Sequence, residues 1–167
     1  MSEYNFNCVK RHHSQEIERV LNTIYKTNNP VIICVGTDLV VGDSFGPLVG
    51  TLIKNRLNGK AYVYGTLDNP ITAKEIPMVD KTIKNLHPHS KILVVDAAIG
   101  NTLDVGVIKV KSGGIKPGLG YNKELPIIGD VSIIGIVSDN KSSLLVRLGL
   151  VYSLALDVSE GIIKALI

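Results

Sequence analysis

The chain has no tryptophan, two phenylalanines, six tyrosines and two cysteines in 167 residues. Cys8 and Cys34 do not make a disulfide framework. Cys34 lies inside an apolar run, so the pattern fits a reducing compartment and excludes a small stapled secreted scaffold. The net charge is only +3, aromatics are scarce, and Lys109, Lys111 and Lys116 form the one loose basic group. Nucleic acid is therefore not an expected partner. Clean apolar stretches of membrane-spanning length are missing too. The nearest approach, the C-terminal segment, is interrupted by Arg147, Asp157, Glu160 and Lys164. The N-terminus, MSEYNFNCVKRHH, lacks the apolar core of a signal peptide. These absences lead to the expectation of a cytoplasmic protein without membrane contact.

What is present is 45% hydrophobic and 20% charged. That balance suits one domain with a full core, expected over residues 1–167 with a polar tail at 1–13. Ile17, Val20, Leu21, Ile24 and Tyr25 share one helical face, with Ser14 as N-cap. VIICV (31–35), KILVVDA (91–97) and VSIIGIVS (131–138) read as buried strands, and AYVYGTL (61–67) as a further strand. DVGVIKVK (104–111) alternates like an edge strand or hairpin arm. Residues 71–86 read as a helix broken or kinked at Pro77. A last helix is expected from Asn140 onward, carrying an exposed Glu160–Lys164 pair. Apolar strands alternating with helices predict an α/β fold, a three-layer αβα sandwich on a mostly parallel sheet. Sites in such folds lie beyond the carboxyl ends of the strands.

The stretch GTDLVVGDSFGP (36–47) follows the first buried strand, and Pro47 sits where a helix should start. It does not match a P-loop: five residues separate Gly36 from Gly42, and an aspartate follows instead of Lys. Asp38 and Asp43 would repel phosphate. The letters GDS suggest a serine nucleophile, but that chemistry needs a histidine base. The four histidines, His12, His13, His87 and His89, lie in the N-terminal stretch or before a strand, away from the expected site. Ser44 reads instead as a local capping hydroxyl and Asp38 as an Asx-turn residue. Asp43 and Asp96 remain. Asp43 lies between a strand's carboxyl end and a helix start, and Asp96 ends another buried strand, where an acid is costly to bury. Two carboxylates in one partly dry crevice can hold different protonation states, one taking a proton from water and the other polarising a carbonyl. Helix capping and loop amides are the alternative employment for such acids.

VIICVGTDLVVGDSFGPLVG, ILVVDAAIGN, IKPGLGYNKELPIIGDVSI and the long closing helix together resemble the sporulation proteins of the YyaC group, related to the spore germination protease. The resemblance runs from about residue 30 to the end. It implies a fold of the hydrogenase-maturation-protease kind and a link to endospore formation. The germination protease is an atypical aspartic protease that cleaves small acid-soluble spore proteins. One of its essential aspartates precedes a Gly-Pro by two residues, matching Asp43; the other ends an apolar strand, matching Asp96. The resemblance makes Asp43 and Asp96 the expected catalytic pair. It places Gly118, Gly120 and Asn122 beside the site, with Asp38 and Ser44 as further contacts. It implies spore proteins or another spore peptide as partner, while no cofactor and no metal are expected. A non-catalytic binder on the same fold is the alternative, and a metal-sensing maturation-type endopeptidase a further one. The last helix is apolar enough to permit a homodimer.

Overall fold

In a computed structural model, residues 2–9, 11–117, 125–140 and 145–167 are described. The elements run β1 (Glu3–Asn7), α1 (Ser14–Ile24), β2 (Val31–Cys34), a 3-10 turn (Gly42–Ser44), α2 (Phe45–Lys54), β3 (Tyr62–Tyr64), α3 (Ile76–Leu86), β4 (Ile92–Gly100), β5 (Val107–Ser112), β6 (Val131–Asp139) and α4 (Leu148–Leu166). The strands form one mixed sheet in the order β1-β5-β6-β4-β2-β3. β3, β2, β4 and β6 are parallel, and β5 is antiparallel to both of its neighbours.

β-branched runs form the centre because both faces are covered. Ile32, Cys34, Leu93, Val95, Val131 and Ile133 face one core with residues of α1, α2 and α4. Val31, Ile33, Ile92 and Val94 face a second core with Ile76 and Ile83 of α3. That alternation is the period-2 signature of strands, and it confirms the expected αβα layering.

Several expectations need correction. Residues 3–7 are not part of a tail but pair with β5 as the sheet edge, so β5 is an inner strand. β1 is polar because most of it meets water, which is why it carries no apolar pattern. Pro77 starts α3 instead of breaking it, the position where its missing N–H costs nothing. α4 begins at Leu148, not Asn140. Glu160 pairs with Arg56 across the α2–α4 contact, and Lys164 donates to Ser14 Oγ at 3.2 Å in place of the expected i,i+4 pair; Ser14 makes no capping bond.

Candidate functional site

The glycines of GTDLVVGDSFGP serve backbone packing. Gly36 has φ 135°, a left-handed value, and a methyl there would overlap the Asp43 carbonyl oxygen. A methyl on Gly46 would overlap the Val35 carbonyl oxygen. Gly42 sits between Val137 of β6 and Val146 just before α4, 3.2 and 3.3 Å from where its methyl would stand. The Phe45 ring occupies the space left by Gly135 in β6, 2.9 Å from its missing methyl. The loop is thus pulled back onto the end of β2, with the Asp43 backbone held against Gly36, two residues beyond the strand.

Asp43 is half-buried. Burial pushes its carboxyl above the usual aspartate value, and the Thr37 backbone N–H bonded to it pulls more weakly the other way. Asp96 is 7% exposed, in β4. The last rung between β2 and β4 is Cys34–Val95, and Val35 N–H still donates to Val95 O at 2.8 Å. Asp96 is therefore level with the end of β2, about one strand spacing of ~4.8 Å across the sheet from Val35. The 42–44 turn packs on β4, which places the Asp43 turn beside the strand that carries Asp96. Asp96 Oδ1 accepts the Ala97 N–H at 2.9 Å.

The other expected positions fare differently. Asp38 is exposed on the loop, and the local turn belongs to Thr37, whose Oγ1 accepts the Leu39 N–H at 3.2 Å. Ser44 is buried, and its hydroxyl donates to Val41 O at 2.6 Å, so it neither caps α2 nor stands ready as a nucleophile. Gly118, Gly120 and Asn122 lie outside the described residues. His12 is bonded to Asp157 and His87 to the Tyr64 hydroxyl. No histidine follows His89. Among the described residues no three His, Cys, Asp or Glu side chains group to hold a metal. The described site contributes two carboxylates and no imidazole, a donor set that does not fit nickel.

Two features escaped the sequence reading. Asp139, 8% exposed, ends β6 as Asp96 ends its apolar run, and it accepts the Thr102 hydroxyl at 2.8 Å. The pattern VSIIGIVSD carried the same signal as ILVVD. The second is an apolar rim: Leu39 (88% exposed), Val40 and Val41 stand on the Asp43 loop, and Ile99 and Leu103 (91%) flank the end of β4.

Residues 5–161 match the family described as protein of unknown function (DUF1256). The chain belongs to this family. It is 38% identical over 139 residues to the uncharacterized protein YyaC of Bacillus subtilis (strain 168), an overlap of 79% of this chain and 67% of that one. The family fold is also similar to a NiFe hydrogenase maturation protease, HycI, from Thermococcus kodakarensis KOD1, with a TM-score of 0.57 and 15% identity over 88% of this chain and 98% of that one. That likeness establishes the fold alone. Among the described residues no helix is long and apolar enough to cross a membrane.

Proposed function

We propose that the chain is a peptide-bond hydrolase of the germination-protease type, acting in the cytoplasm of a sporulating cell. Asp96 is the general base and Asp43 the acid that polarises the scissile carbonyl. The observation that carries this reading is the contrast between the acids at the two strand ends. Asp43 is half-buried and desolvated towards its protonated form, whereas Asp96, level with the end of β2, accepts the Ala97 N–H, so the two acids stand in different surroundings. In the reaction Asp96 takes a proton from water, and the oxygen attacks the carbonyl carbon. Asp43 hydrogen-bonds the developing oxyanion. The C–N bond then breaks, and the leaving nitrogen takes the proton back from Asp96.

The resemblance to sporulation proteins makes small acid-soluble spore proteins the first substrates to try. The wild type is expected to cleave them, and Asp43→Asn and Asp96→Asn each to slow cleavage by about 10²–10⁴-fold, the usual weight of a general acid or base. Undiminished cleavage by either variant ends the dyad. A second reading, a peptide binder without catalysis, draws on the fact that both acids already satisfy backbone N–H groups, Thr37 and Ala97. Full complementation of a sporulation or germination defect by Asp43→Asn decides for the binder.

A further inference from the structure

β4 outruns β2. Its residues 97–100 pair with β6 on one side, as Ala97–Gly135, Ala98–Ile136, Ile99–Ser138 and Gly100–Asp139, with a register shift between Ala98 and Ile99. In a parallel ladder, alternate residues direct both N–H and C=O to the same neighbour. Here Lys91 and Val95 serve β2, accepting from Val31 and Val35, whereas Ile92 bonds Asp130 on the β6 side. Ala97 and Ile99 are the next two residues aimed towards β2, and β2 has ended. The Ala97 N–H has turned to Asp96 Oδ1. Past the Val35 N–H to Val95 O bond, β2 offers β4 no further rung among the described residues.

We propose that this free edge of β4 receives an extended polypeptide segment as an added strand, taking the place in the sheet that β2 vacates and passing Asp96 and Asp43. Main-chain bonding to an open edge is the recurrent way a sheet binds peptide without reading its sequence. The edge of four residues spans about 13 Å, room for four or five peptide residues. Side chains of the added strand meet Leu39, Val40 and Val41 on one flank and Ile99 and Leu103 on the other, all exposed. A solvent-facing apolar set of this kind marks a contact surface. The flanking stretches 37–43 and 97–104 contain three exposed or half-buried acids, Asp38, Asp43 and Asp104, and no Lys or Arg. The occupant is therefore an extended segment with large aliphatic side chains and neutral or cationic flanks. The slot rests on the peptidase reading only for the fate of the bound segment.

The test uses full-length Asp43→Asn protein, checked for folding by circular dichroism, and a fluorescein-labelled peptide, Lys-Thr-Val-Thr-Val-Thr-Val-Lys. Two further peptides are N-methylated on all Thr or on all Val residues. Only one set of amides can face β4, so one methylated peptide should lose at least about tenfold in affinity while the other stays within about twofold. Replacing the lysines by glutamates should weaken binding, as should Leu39→Asp. Equal effects of both methylations, or no binding of the parent peptide, overturn the proposal. So does a sedimentation result in which Leu39→Asp turns a dimer into a monomer and leaves peptide affinity unchanged, because the rim is then a self-interface. Wild-type protein that binds the peptide but leaves it intact removes the peptidase reading and keeps the slot. Wild-type cleavage indifferent to both methylations removes the slot and keeps the peptidase reading.

Discussion

Asp157, in the middle of α4, and Asp96, where β2 gives out, are both nearly inaccessible, at 3% and 7% exposed. Their surroundings are opposite. Asp157 lies 2.6 Å from His12 Nδ1, accepts the His13 N–H at 3.4 Å and sits beside the buried Cys8, whose thiol is pushed up by burial first and by Asp157 second. It ties the segment between β1 and α1 to the closing helix, and the apolar core of α1 and α4 seals it. Asp96 stands at a step in the sheet, beside an unfinished ladder, a second acid and exposed aliphatic side chains. Burial of an acid is thus common to both regions. What separates a clasp from a candidate site is whether the surrounding backbone and apolar surface are already used.

The sharpest way to break this comparison is activity. Asp157→Asn keeps the shape of the clasp, so peptide cleavage by that variant should stay within about twofold of wild type, set against the 10²–10⁴-fold expected for the two site acids. Loss of cleavage in Asp157→Asn at unchanged melting temperature would erase the distinction.

Packing offers the next test. Gly46 faces the unyielding Val35 backbone, whereas a methyl on Gly161 in α4 would meet Ile17 Cγ2 at 2.6 Å, Ile17 Cβ at 2.8 Å and the Ser14 carbonyl oxygen at 3.1 Å. Gly46→Ala should cost about 3 kcal/mol or more, and Gly161→Ala less, about 2 kcal/mol, since α1 can shift away from α4 more easily than the end of β2 can leave the sheet. Urea denaturation compares them, and equal costs would mean that the site floor is no stiffer than the helix crossing. Within the clasp, Asp157→Ala leaves the His13 N–H without its acceptor. It should lower stability by about 1–3 kcal/mol in the same assay, and an unchanged midpoint would show the clasp to be idle.

The central strands and the strand-end position of Asp96 were legible because an unbroken β-branched run that ends in aspartate is a local signal, as in ILVVD, whereas Asp43 stood out only by lying between a strand end and a helix start. The edge strand β1 gave none, because solvent on most of it removes the apolar alternation. The start of α4 was misplaced because the apolar spacing continues back from Leu148 to Leu144, which lies outside the described residues, while Leu145 is 84% exposed ahead of the helix. GDS drew attention to Ser44, yet its hydroxyl is spent on Val41, and Asp38 faces water. The open slot could not be read at all. It depends on β2 ending at Cys34 while β4 runs on to Gly100, a mismatch in length between segments nearly sixty residues apart in the sequence.

The smallest expected effect is the most diagnostic of the open region. Burial raises the Asp43 carboxyl, so between the ordinary aspartate value and the raised one the folded chain binds more protons than the unfolded chain. Stability contributed by this group therefore falls as pH rises through that window and stays lower above it. Asp43→Asn cannot ionise, and its amide oxygen can still accept the Thr37 N–H. It should match or trail wild type near pH 3 and gain on it towards pH 7. The gain should be less than about 1 kcal/mol, because water reaches the exposed part of the side chain and screens the penalty. Denaturation midpoints of the two proteins across pH 3–7 measure it. An acid that costs the fold stability at neutral pH fits a group kept for chemistry, as proposed for Asp43; a variant that loses ground as pH rises would put Asp43 with Asp157, among the acids that hold the chain together.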